Sequence, residues 1–219
     1  MKRKIDTKKM VLLAMLAAIA FLLVSFVRIP VLPAAPFLKY EPKDVVITVG
    51  GFLLGPVAAF VVSLLVALVE MVSISETGII GCLMNLLSSA CFACAAAVVY
   101  KKKHSIGGAI GGLLLGSAAM ICTMLLWNWL ITPFYMGYPR DAVASMLIPV
   151  FLPFNALKAG FNSALTLMLY KPLVSALRKT GLVPKASPTA SGTKWGIYLL
   201  GAALLVTCIL LLLVLRGIL

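Results

Sequence analysis

Long apolar runs separated by short polar punctuation dominate this chain, and their lengths predict its elements. The first run, Met10 to Val27, follows a basic stretch holding Lys2, Arg3, Lys4, Lys8 and Lys9. It is long for the core of a secretory signal, and Pro36 follows the only small-residue cleavage candidate, Ala34-Ala35. The run therefore predicts an uncleaved first span. Residues 28–44, RIPVLPAAPFLKYEPKD, hold four prolines and both charge signs, which predicts an ordered loop too proline-rich for helix. A second run, about Val45 to Leu54, is short for a crossing and turns at Gly55-Pro56; a third covers Val57 to about Val72. The fourth, Ile79 to Tyr100, stops at Lys101-Lys102-Lys103-His104. The fifth runs from Ile106 to about Ile131, and its pairs Gly107/Gly111, Gly108/Gly112 and Gly112/Gly116 sit four apart. That spacing predicts close helix packing rather than a phosphate loop, since no strand precedes it. The sixth, Ala142 to Tyr170, is expected to be broken or interfacial around Pro149 and Pro153. A last run, Trp195 to Leu215, follows the polar stretch TGLVPKASPTASGTK.

Composition sets the class. Of 219 residues, 63% are hydrophobic and 11% charged, with a mean hydropathy of +1.13. Soluble domains carry about 25% charged residues. The chain therefore predicts an all-α integral membrane protein with six or seven spans of ~20 residues each. Residues 1–179 form the six-span domain, 180–194 a flexible cytoplasmic linker, and 195–219 an additional C-terminal transmembrane helix. No soluble catalytic domain fits beside them. The net charge of +13 resembles a nucleic-acid signal, but the basic residues sit in short clusters between apolar runs. With the N-terminus in the cytoplasm, thirteen Lys/Arg fall on the inner side, five on the outer, and Lys158 within a span. Five of the six acids, all except Asp6, then fall outside. This is the positive-inside pattern, and it predicts a multi-pass protein of the cell membrane. The five cysteines all lie in apolar runs. Cys91-x-x-Cys94 has redox spacing, yet its Ala and Phe neighbours point to packing.

Candidate chemistry centres on LIPVFLPFNALKAG, residues 147–160. A lysine near mid-bilayer costs about 2.5–3.5 kcal/mol on insertion scales, so Lys158 needs a reason. Asn155 lies three residues before it and shares its helix face. Asn85 in the fourth span and Asn128 in the fifth join them in the outer half of the membrane. Amides offer donors and acceptors, lysine offers three donors, and Trp127 offers a flat face. Together they suit a planar heterocycle with donors and acceptors on one edge. The simpler alternatives are an Asn bonded to a neighbouring helix, worth ~0.6–2 kcal/mol, and interfacial belt roles for Trp127 and Trp129. Lys158 is too far from Lys171 to snorkel easily, and no acid in the spans is expected to pair with it. The chain shows no nucleotide-binding loop, metal cluster or nucleophile–base pair, so it reads as a non-enzyme. A stand-alone carrier is disfavoured because the spans lack a carboxylate for ion coupling and show no inverted repeat. A membrane enzyme is disfavoured by the absence of paired acids or a membrane histidine.

Several stretches together resemble the riboflavin-specific S-component of energy-coupling factor (ECF) vitamin transporters. They are AMLAAIAFLL, FLKYEPKDVVITVGGFLLGPVAAF, TGIIGCLMNLLSSACF, LLWNWLITPFY and IPVFLPFNALKAG, covering about residues 10–175. The resemblance implies a six-helix bundle with an externally loaded pocket closed by the first loop, to which the last helix is an addition. It implies that Asn128, Asn155 and Lys158 contact the isoalloxazine ring, helped by Lys39, Tyr40 and the segment from Thr77 and Gly78 to Asn85. It implies that Ala14 and Ala18 meet a transmembrane coupling subunit, which works with two ATPases. Riboflavin would be the transported ligand, with no resident cofactor and no metal. Another flavin or a purine-like heterocycle is the alternative within the class.

Overall fold

A computed structural model describes residues 7–33, 35–75, 77–179 and 195–219. Helix α1, Thr7–Phe26, is apolar on every side and buries only Leu12, Leu16, Ala20 and Val24. That four-residue repeat makes one narrow stripe against the bundle. Ala14 and Ala18 are exposed on another face.

The proline-rich loop pairs with itself. β1, Ile29–Leu32, and β2, Ala35–Tyr40, form an antiparallel hairpin with Ile29 opposite Tyr40 and Pro30 opposite Lys39. Prolines are tolerated in a two-stranded ribbon because each strand has an edge that donates to nothing. The sequence predicts order here but carries no clean alternation to announce strands.

Helix α2, Lys43–Leu54, has 12 residues, about 18 Å at 1.5 Å per residue. That is short of a ~30 Å hydrocarbon core. It sits inside the bundle instead, with every residue from Lys43 to Phe52 buried. Gly51 makes this possible: a Cβ there would lie 3.0 Å from the Cβ atoms of both Ala59 and Ala97. Gly55, at φ 94°, reverses the chain, and Pro56 opens α3, Pro56–Ser73, where no amide donor is needed.

α4, Gly78–Lys102, and α5, Ile106–Met136, make the closest pair. A Cβ on Gly112 would stand 2.6 Å from the Ala96 carbonyl, and one on Gly116 would collide with that of Phe92. In lipid, apolar surface gains little by association, so such backbone approach is a main source of packing energy. Ser105 caps α5 by accepting from the Gly108 amide at 3.1 Å. The helix continues through Pro133 to Met136, one turn beyond the predicted end, and stops at Gly137.

The sixth span is interrupted as its prolines predict. α6, Arg140–Met146, passes through a π-helical turn at Leu147–Phe151 into α7, Leu152–Lys179. Pro149 and Pro153 cannot donate to a regular ladder, and the wider turn absorbs the mismatch. α8, Trp195–Leu215, packs along α7. The linker 180–194 lies outside the described residues. Among those, six helical segments are long and apolar enough to cross a membrane: α1, α3, α4, α5, the α6–α7 unit and α8.

Candidate functional site

A cavity opens at the hairpin end of the bundle, walled by parts distant in sequence. The hairpin contributes Phe37, Leu38 and Lys39; α4 contributes Met84, Asn85 and Ser88; α5 contributes Met124, Asn128, Tyr135 and Met136; α7 contributes Phe154, Asn155 and Lys158. Arg28, Glu41, Glu70, Ser75 and Thr77 complete the lining. Six of the residues singled out from sequence, Lys39, Thr77, Asn85, Asn128, Asn155 and Lys158, therefore share one cavity.

Three others do not line it. Tyr40 is buried against α7, its ring 5.2 Å from that of Phe161 and its hydroxyl donating to Asn162 Oδ1 at 3.0 Å. Burial, reinforced by the Asp44 carboxylate, pushes the Tyr40 phenol well above its ordinary pKa, so it stays a donor. Gly78 opens α4 at φ 57°. Trp127 packs half-buried against a cluster drawn from α2, α4, α5 and α7, and its buried indole Nε1 has no hydrogen-bond partner among the described residues.

The amides are pre-set by their own helices. Asn128 Nδ2 donates to the Met124 carbonyl at 2.7 Å, while its Oδ1 accepts from Thr132 at 3.0 Å. Asn155 Nδ2 donates to the Phe151 carbonyl at 2.8 Å. One amide proton and the oxygen lone pairs of Asn155 stay available to a ligand. Each tether locks a rotamer before anything binds, which lowers the ordering cost of recognition.

Lys158 overturns one expectation: it has an acidic neighbour. Its Nζ donates to Ser88 Oγ at 3.2 Å and stands 3.7 Å from Asp44 Oδ2. Asp44 is fully buried on α2 and accepts from Ser89 at 2.5 Å and Asn162 at 3.1 Å. From sequence, Asp44 counts with the loop; in the structure, the helix begins at Lys43 and carries it inward. Glu70, also counted outside, is 1% exposed within α3. Lys43 donates to its two oxygens at 2.6 and 2.7 Å and meets Glu41 at 2.9 Å. Arg28 pairs with Glu41 at 3.2 Å, and Asn85 donates to Glu70 at 2.8 Å. Two carboxylates expected outside are therefore buried in the bundle. Both acids are matched by lysines, which makes their burial tolerable.

Sequence reasoning also missed Asn162 and Ser88. A signal for the first was present: Asn155, Lys158 and Asn162 follow a three-then-four spacing that places them on one helix face. Ser88 carried no such mark, since small hydroxyl residues are common in packed membrane helices.

The chain is similar to known proteins in sequence and fold. The riboflavin transporter RibU of Staphylococcus aureus (strain TCH60) is 28% identical over 187 residues, covering 81% of this chain and 98% of that protein. The riboflavin transporter FmnP of Bacillus subtilis (strain 168) is 29% identical over 160 residues, covering 69% and 84%. A solved S component of a bacterial ECF transporter superposes with a TM-score of 0.67 at 30% identity, covering 80% of this chain and 99% of that one. Residues 8–170 match the family described as ECF transporter, substrate-specific component, and the chain belongs to that family.

Proposed function

We propose that this chain captures riboflavin on the outer side of the cell membrane and presents it for ATP-driven uptake by partner subunits. One observation carries the reading: Asn85, Asn128, Asn155 and Lys158, from three helices, face a single cavity beneath the hairpin. Amide and ammonium groups at such positions can match the carbonyl and imino edge of a flat three-ring heterocycle. Met84, Met124, Phe37 and Phe154 supply adaptable apolar faces for the rings. The relatives named as riboflavin transporters support the choice of ligand.

The orientation follows from charge. Lys101, Lys102, Lys103 and Lys171 gather at the end away from the hairpin, which suits a cytoplasmic face, with the hairpin outside. The chain itself binds, and ATP is hydrolysed by two ATPase subunits through a transmembrane coupling subunit. The exposed Ala14/Ala18 face of α1 allows a partner helix to approach closely.

The test is a fluorescence-quenching titration of the purified protein in detergent with riboflavin. Saturable one-site binding, unaffected by excess purine nucleoside, is expected. Absence of quenching, or equal competition by the nucleoside, overturns the ligand assignment. A stand-alone carrier would transport without ATPases; uptake in cells lacking them would overturn the partner assignment.

A further inference from the structure

Helix α8 lies beyond the stretch that matches the family, which ends at residue 170. It is nonetheless fitted closely to the bundle. A Cβ on Gly201 would lie 2.7 Å from Met168 Cγ and 3.2 Å from the Ala164 carbonyl, and one on Gly160 would lie 2.5 Å from Cys208 Sγ. The two glycines thus leave room for the Met168 and Cys208 side chains of the facing helix to seat against the backbone.

The far end of α8 reaches the hairpin. Leu204, Leu205, Leu212 and Leu215 pack on a cluster that includes Val31, Leu32 and Tyr40. Just past the helix, half-buried Arg216 turns back onto β1. Its Nε donates to the Val31 carbonyl at 3.2 Å, and its Nη2 donates to the Pro30 carbonyl. The planar guanidinium fork can take two successive carbonyls at once, which a point-like ammonium cannot. A two-stranded hairpin is marginal by itself in water. β1 holds β2, and β2 supplies Phe37, Leu38 and Lys39 to the cavity wall.

We propose that Arg216 is a positioning residue for ligand retention, latching the hairpin over the cavity from outside the family's common bundle. It touches no ligand and acts through β1. The proposal rests on the riboflavin reading for its kinetic consequence, but not for its structural one. Loss of the latch should let the hairpin open more often, so it should act on dissociation rather than on association.

The experiment uses the full chain with Arg216→Ala and Arg216→Lys. Riboflavin dissociation is followed by stopped-flow fluorescence, and amide hydrogen exchange of residues 29–40 is measured without flavin. Arg216→Ala should speed dissociation by about tenfold, the equivalent of one hydrogen bond to a charged group. Association should stay the same, hairpin exchange should accelerate, and the thermal midpoint of the bundle should hold. Arg216→Lys should recover part of both effects through a single donated bond. Unchanged dissociation together with unchanged hairpin exchange overturns the latch. So does a fall in thermal midpoint that accounts for both changes, because Arg216 would then be general packing. If the wild-type protein binds no riboflavin, the ligand assignment fails, and hairpin exchange alone decides the latch.

Discussion

Lys43 and Asp44 are neighbours in sequence, yet they open two buried ion pairs of different character. Lys43 is held closed: two oxygens of Glu70 and one of Glu41 lie within 2.9 Å of its nitrogen. Asp44 faces the other way and meets Lys158 loosely, at 3.7 Å, while Ser89 and Asn162 occupy its oxygens. The first pair saturates its lysine. The second leaves Lys158 with donor capacity directed at the cavity it lines. One turn of a buried helix thus carries a closed ion pair on one side and an open one toward the cavity on the other. A tight ion pair anchors α2 to α3, and a slack one leaves a lysine with donor capacity to spare.

Breaking the tight pair should have the largest effect. Glu70→Ala strips Lys43 of its bidentate partner and Asn85 of its acceptor. Loss of one partner of a buried pair costs about 3–5 kcal/mol. Thermal unfolding in detergent should show a markedly lower midpoint. A midpoint equal to wild type would mean that Glu41 alone suffices and the contrast is false.

The slack pair should separate binding from folding. Lys158→Ala should weaken riboflavin binding by about 1–3 kcal/mol, the range for a hydrogen bond to a charged group, while the protein still inserts and folds. Asp44→Asn keeps the side-chain shape, removes the charge and turns one acceptor into a donor that the Ser89 hydroxyl can accept, so its effect on binding should be smaller than that of Lys158→Ala. Fluorescence titration of the two variants side by side reads the order. The reverse order would make Asp44, not Lys158, the dominant polar group of the site.

The smallest effect on binding is expected far from both pairs. Ala14→Trp or Ala18→Trp adds bulk to the exposed face of α1, away from the buried Leu12/Leu16 stripe. Riboflavin affinity of the isolated protein should be unchanged, while uptake with the full complex should be abolished. Loss of binding as well would show that the stripe packs inside; persistence of uptake at the wild-type rate would move docking to another surface.

Much of the architecture was legible because it is local. Apolar runs near twenty residues long, ended by lysines, prolines or glycines, specify membrane helices whatever their neighbours, since lipid requires every backbone group to be satisfied within the segment. The break before Asn155 was legible for the same reason: Pro149 and Pro153 remove donors at known positions. Asn85, Asn128, Asn155 and Lys158 stood out because polar side chains in apolar runs are costly. The hairpin was not legible, because its pairing is held by contacts with α7 and α8 rather than by its own alternation.

What only the tertiary structure decided is the partner of each polar group. Sequence places Asp44 beside a proline-rich loop and Glu70 at the end of a span, where water would be their ordinary solvent. Packing buries α2 among its neighbours instead, so Asp44 faces Lys158 across 114 positions of chain and Glu70 faces Lys43 across 27. The chain alone determined which residues would be expensive to bury. Which of them neutralise one another, and which keep bonds to spare for a ligand, depends on distances of a few ångströms between helices, and no local pattern encodes those.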